Sequence, residues 1–198
     1  KALEQARMHA IRRQLAERLP QRCAPPAGAF EGELREFQKE GLSFLLANER
    51  ALLADEMGLG KTVQALACLA STGDMPALLV VPPHLMRNWE SEVKRFLRIK
   101  GKQPSVCVIK GLKPYDLPEA DVYIVHYLLL RGWKQALPQA GFRAVIFDEI
   151  QEAPRAITAL KYFCENMREL HLACAGSLLG VALKNENIAF PVVNEDYL

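Results

Sequence analysis

Gly58-Leu59-Gly60-Lys61-Thr62 has the residue types and order needed to hold a polyphosphate. An apolar run, Ala51-Leu52-Leu53-Ala54, precedes it, and Val63 to Leu69 follow with helical spacing. Strand, glycine turn and helix in that order aim backbone N–H groups at one anionic point, and the glycines let the chain approach closely. Met57, Gly58, Leu59, Gly60, Lys61 and Thr62 are therefore the expected nucleotide-binding residues. The Lys61 ammonium would reach the β- and γ-phosphates, and the Thr62 hydroxyl would ligate Mg²⁺. The general pattern G-x-x-x-x-G-K-[ST] has glycine where this chain has Asp55, so the signal rests on the five residues from Gly58.

A second chemistry-bearing run is Ala144-Val145-Ile146-Phe147-Asp148-Glu149, an apolar strand ending in two acids. Such a strand tip, paired with a phosphate loop, is a Walker B pattern. Asp148 would hold Mg²⁺ through water, and Glu149 would orient the water that attacks the γ-phosphate. With Lys61 and Glu149 as catalytic residues and ATP–Mg²⁺ as cofactor, catalysis would be mostly positioning and charge neutralisation.

Positioning these groups requires a sheet. The apolar runs Ala51–Ala54, Ala77–Val81, Val106–Ile109, Val122–Val125, Ala144–Phe147 and Leu170–Ala175 read as strands. Helical stretches at Glu33–Leu46, Leu85–Phe96 and Ile157–Asn166 alternate with them. The alternation predicts an α/β fold, a three-layer parallel sheet with helices on both faces and ligands beyond the carboxyl ends of its strands. Residues 2–19 have the spacing of a basic helix, and Pro20, Pro25 and Pro26 with Gly28 mark a linker. The expected organisation is an appendage over residues 1–28 and one ATP-binding domain over 29–198.

Composition narrows the class. A 198-residue chain that is 50% hydrophobic and 24% charged can bury one good core. A net charge of +2 does not by itself imply nucleic acid. The cysteines, five in number and widely spaced without a C-x-x-C pair, suggest buried free thiols rather than zinc or disulfides. No apolar run is long enough for a membrane span, so the expected location is the cytoplasm, including association with a prokaryotic nucleoid. The missing initiator methionine predicts that Lys1 is not the native start.

Leu34-Arg35-x-x-Gln38-x-x-Gly41, followed by Leu53-Ala54-Asp55-Glu56-Met57-Gly58-Leu59-Gly60-Lys61-Thr62, resembles the opening of the Swi/Snf-type superfamily 2 helicases, which are DNA translocases. Leu78-Leu79-Val80-Val81-Pro82 with Trp89-Glu90 is similar to that family's next motif, which contacts the DNA backbone. Ile124-Val125-His126-Tyr127-x-Leu129-Leu130 is similar to the one after. The resemblance covers roughly residues 30–149. It implies a RecA-like lobe, double-stranded DNA as partner, ATP bound against a second lobe, and Gln38 reading the adenine edge. Trp89 reads equally as core packing or as part of the DNA-contacting motif. The chain departs from the family at Asp148-Glu149-Ile150-Gln151, where Asp-Glu-Ala-His is usual, and at Ala175-Gly176-Ser177, where Gly-Thr-Pro is expected.

Residues 145–198 resemble a prokaryotic AAA-type ATPase family instead, through Phe147 to Ala156, Leu160 to Glu165, Ala175 to Leu183 and Phe190-Pro191-Val192. That resemblance would place Ser177 at the sensor position near the γ-phosphate; a surface serine in a Gly-Ser turn is the equal alternative. Both families supply a cationic finger from a second lobe or neighbouring subunit, worth about 10³–10⁵ in rate. The expected function is the ATP-binding lobe of a DNA-dependent ATPase, weakly active alone. An oligomeric AAA-type ATPase and a non-catalytic nucleotide-binding module stay open at this stage.

Overall fold

Strand β2 (Ala77–Val81) is buried along its whole length, and its side chains divide between two cores with a period of two residues. Ala77, Leu79 and Val81 join the cluster that contains Ala65, Leu66, Trp89 and Val93. Leu78 and Val80 join the cluster on the other face, with Tyr127, Trp133, Leu137 and Phe142. A strand covered on both faces reads as a continuous apolar run, which is why Ala77–Val81 carries no polar residue.

The computed structural model describes residues 24–48, 50–53, 58–149, 170–175 and 192–193. In chain order these form α1 (Glu36–Ala47), β1 (Arg50–Leu53), α2 (Lys61–Thr72), β2, α3 (Met86–Phe96), β3 (Val106–Val108), β4 (Val122–His126), the short α4 (Leu130–Trp133), β5 (Ala144–Phe147), β6 (His171–Ala175) and β7 (Val192–Val193). The sheet has seven strands in the order β3-β4-β2-β5-β6-β1-β7. Every named pairing in it is parallel. The predicted parallel α/β sheet is therefore present, with α2 and α3 over one face and the segment from Tyr127 to Phe142 over the other. Helix α1 packs on α2 and β1 through a third cluster that includes Leu42, Phe44, Leu45, Leu53 and Ala67.

Element boundaries differ slightly from the sequence expectations. The helix expected from Leu85 begins at Met86, after a 3₁₀ turn over Pro83–Leu85. The strand expected to reach Ile109 ends at Val108, although the Ile109 N–H still donates to the Ile124 carbonyl. Strand β7 and the helical turns between Tyr127 and Gln139 carried no expectation. The predicted helices at 2–19 and Ile157–Asn166 lie outside the described residues.

Residues 29–31 are pinned to the end of α3. The Glu31 N–H donates to the Phe96 carbonyl, the Arg98 N–H donates to the Ala29 carbonyl, and Phe30 stacks on Phe96. At the amino end of β6, the His171 ring lies between Asp74 and the carbonyls of Leu45 and Asn48, joining α1, the end of α2 and the sheet. Among the described residues no helix is long and apolar enough to cross a membrane.

Candidate nucleotide site

The phosphate loop enters α2 through two glycines in the left-handed region, Gly58 at φ +85 and Gly60 at φ +77. Gly60 is the N-cap of α2, and Lys61 is the first residue of the helix. A side chain at Gly60 would be doubly opposed. The backbone is unfavourable for an L-residue, and an added Cβ would stand 2.5 Å from Gln38 Nε2. Gly60 provides no side-chain cap, and the N–H groups of the first helical turn, with their share of the helix dipole, are suited to an anion. Lys61 is only 7% exposed at this point. Thr62 follows it in the same turn, half-buried. Met57 and Ser177 lie outside the described residues, so the loop is described from Gly58 onward.

Gln38 is built into the loop rather than displayed to solvent. It is 8% exposed. Its Oε1 accepts from the Arg35 N–H at 3.0 Å, and its Nε2 donates to the Leu59 carbonyl at 3.1 Å. The glutamine therefore ties the start of α1 to the glycine turn. Gly41, one turn further along α1, has a separate steric reason: an added Cβ would meet Gln64 Oε1 at 1.8 Å. The spacing Gln38-x-x-Gly41 thus braces the loop at one residue and lets α1 approach α2 at the other.

The acid pair sits at the carboxyl end of β5, where the Asp148 N–H donates to the Val80 carbonyl. One strand, β6, separates β5 from β1. Because these strands run parallel, the loop after β1 and the acids after β5 emerge on the same edge of the sheet. Asp148 is 5% exposed, and its Oδ2 accepts the indole N–H of Trp89 at 2.7 Å. Burial pushes its carboxyl up to about 6; the Trp89 hydrogen bond opposes this, Glu149 adds to it, and the Lys61 charge draws it back down. Glu149 has φ +46. That conformation costs a non-glycine residue about 1–3 kcal/mol and recurs at functional sites.

The residues present fit a magnesium nucleotide. Asp148 is a buried carboxylate whose desolvation outweighs its compensation by neighbouring groups. A divalent cation would supply the missing positive charge. Lys61, Thr62 and the first turn of α2 offer the complementary anion site. Sequence reasoning did not find the Trp89–Asp148 bond. Its signal was Trp89 four residues before Val93, a buried spacing on α3, but the partner depends on β2 lying beside β5.

An all-parallel sheet with a glycine-turn lysine beyond one strand and an acid pair beyond a near neighbour defines a RecA-like P-loop NTPase lobe. The SNF2-related domain model matches residues 37–169, and the chain belongs to that family of superfamily 2 helicase-like ATPases. This match runs past the acid pair, beyond the span of the helicase-like motifs read from the sequence. An uncharacterised ATP-dependent helicase of Mycoplasma pneumoniae is 33% identical over 60% of this chain and 12% of its own length. The chromatin-remodelling ATPase INO80 of Arabidopsis thaliana is 31% identical over 69% of this chain and 11% of its own length. The chain thus spans a small fraction of these relatives. Among solved structures, the SWI2/SNF2 ATPase core of Sulfolobus solfataricus in complex with dsDNA superposes with a TM-score of 0.59 and 24% identity, covering 75% of this chain and 32% of that one. The core domain from the same organism gives a TM-score of 0.57 at 23% identity, covering 79% of this chain and 34% of that one. At this identity the two structures speak to the fold.

Proposed function

We propose that the chain binds ATP–Mg²⁺ at the carboxyl edge of its sheet and is the ATP-binding lobe of a DNA-dependent translocase. The observation that carries this reading is the placement of Lys61 and Asp148, both nearly fully buried, beyond β1 and β5 of one parallel sheet with only β6 between those strands. In this reading the first turn of α2 and Lys61 take the phosphates, and Thr62 and Asp148 hold the metal. Glu149 orients the attacking water. Gln38, hydrogen-bonded to Leu59, would read the adenine edge.

Bound Mg²⁺ would neutralise charge on the transferring phosphoryl group. Residues 29–198 would form the lobe and residues 1–28 an appendage. Double-stranded DNA is the partner indicated by family membership and by the DNA-bound Sulfolobus core. A cationic finger would come from a second lobe or a neighbouring subunit, so the chain alone should turn over slowly. Such an ATPase works in the compartment that holds DNA, the cytoplasm or nucleoid of a prokaryotic cell.

ATP hydrolysis measured with and without duplex DNA tests the reading. Binding of ATP–Mg²⁺ with slow turnover, raised by duplex DNA when the second lobe is supplied, is the expected result. Activity that rises with protein concentration and ignores DNA would replace the translocase reading with an oligomeric ATPase.

A further inference from the structure

The carboxylate most exposed to the consequences of burial, Asp148, is held by a residue that neither the phosphate loop nor the acid motif contains. Trp89 is 1% exposed and belongs to the apolar cluster between the sheet and α2/α3, together with Leu79, Val81, Val93 and Ile146. A ring enclosed in that way has one accessible rotamer, so its N–H is fixed in direction. That N–H donates to Asp148 Oδ2 at 2.7 Å in a buried environment, where hydrogen bonds to ionised groups are strong.

We infer that Trp89 is a positioning residue for the metal-binding carboxylate, fixing the rotamer of Asp148 through its indole N–H. The inference rests on the proposed ATP–Mg²⁺ site. Indole suits this task because it is a donor only, carries no charge and does not titrate. A lysine or arginine at the same place would fix the carboxylate equally well but would cancel the negative charge that attracts the cation. An ionised carboxylate has about four acceptor positions. Trp89 uses one of them, which leaves capacity for metal-bound water. Trp89 is carried by α3, so the orientation of Asp148 is tied to the seating of that helix on the sheet. The tryptophan of this motif thus acts from the core, through the acid pair, and does not itself face DNA.

Groups that orient a metal ligand in this way typically change metal affinity or activity by about 10–100-fold when removed. The test is Trp89→Phe, with 3-benzothienylalanine at position 89 as a second variant that keeps the bicyclic shape and replaces the N–H by sulfur. Binding of a fluorescent ATP analogue is measured in EDTA and then titrated with Mg²⁺, and thermal melting checks the fold. In both variants we expect metal-free nucleotide affinity to stay within about twofold while the Mg²⁺ half-saturation concentration rises about 10-fold. In an Asp148→Asn background the same change at Trp89 should add no further shift in Mg²⁺ dependence, since the residue acts through that carboxylate. If the shape-preserving variant is folded and its Mg²⁺ titration matches wild type, the positioning role is overturned while the nucleotide site stands. If wild type itself shows no Mg²⁺-dependent nucleotide binding, the site assignment fails and the inference falls with it.

Discussion

The Trp89 indole nitrogen and Asp148 Oδ2 meet at 2.7 Å across 59 positions of sequence, joining the helix after β2 to the tip of β5. The contact exists because β2 and β5 are neighbours in register, Val80 beside Phe147. Each strand therefore delivers its next segment to the same place on the sheet edge. The acid that would bind a metal is thereby held in a desolvated setting.

Asp148 is raised from 3.8 to about 6 in the folded protein, chiefly by burial. The native state then binds more protons than the unfolded state between roughly pH 4 and 6, so stability contributed by this group falls as pH rises through that window and levels off above it. From the shift of 3.8 to about 6, the loss is on the order of 2–3 kcal/mol at 1.36 kcal/mol per unit. Asp148→Asn keeps an oxygen for the Trp89 N–H and removes the titration. In EDTA, melting temperatures of wild type and variant should diverge with rising pH, the variant being the more stable above pH 6. Parallel profiles would contradict the assigned cause.

Lys61→Ala should leave the fold intact and weaken ATP binding. Hydrogen bonds to charged groups contribute about 1.5–3 kcal/mol, so the dissociation constant should rise about 10–100-fold, measured by titration with a fluorescent nucleotide. Unchanged affinity would remove the phosphate loop from the account.

Gln38 bridges the Arg35 N–H and the Leu59 carbonyl, and its loss should loosen the loop. Gln38→Ala is expected to cost about 1–3 kcal/mol through the loss of two part-buried hydrogen bonds. Amide exchange around Gly58–Thr62 should accelerate while the strands β2 and β5 keep their protection. Global acceleration would instead indicate a purely structural role in α1.

Gly41→Ala should destabilise by about 1–3 kcal/mol through overpacking, because the new methyl group would sit 1.8 Å from Gln64 Oε1. Combining it with Gln64→Ala should recover part of the loss. Strict additivity in urea melts would show that the clash is relieved elsewhere.

Much of the proposed site is legible in the sequence alone. Gly58, Gly60, Lys61 and Thr62 carry their chemistry in local order, since a glycine turn entering a helix is a short-range object. Asp148-Glu149 announces itself as an acid pair closing an apolar strand. The alternation of strands and helices likewise indicated a parallel sheet, because a sheet buried on both faces leaves uninterrupted apolar runs such as Ala77–Val81. Other features were silent. Residues 127–139 have no clear period, and the short helical turns there form only because Trp133 and Leu137 find a core to fill on the second face of the sheet.

By itself, the sequence determined the residue types of the proposed site and the local turns that present them, since both depend on neighbours a few positions apart. Only the tertiary structure decided that β6 lies between β5 and β1, that Trp89 reaches Asp148, that Gln38 closes on Leu59, and that Gly41 makes room for Gln64. Hydrophobic periodicity tells a strand which face to bury but carries no information about which strand lies beside it. Parallel pairing between distant segments is fixed by the packing of the whole sheet.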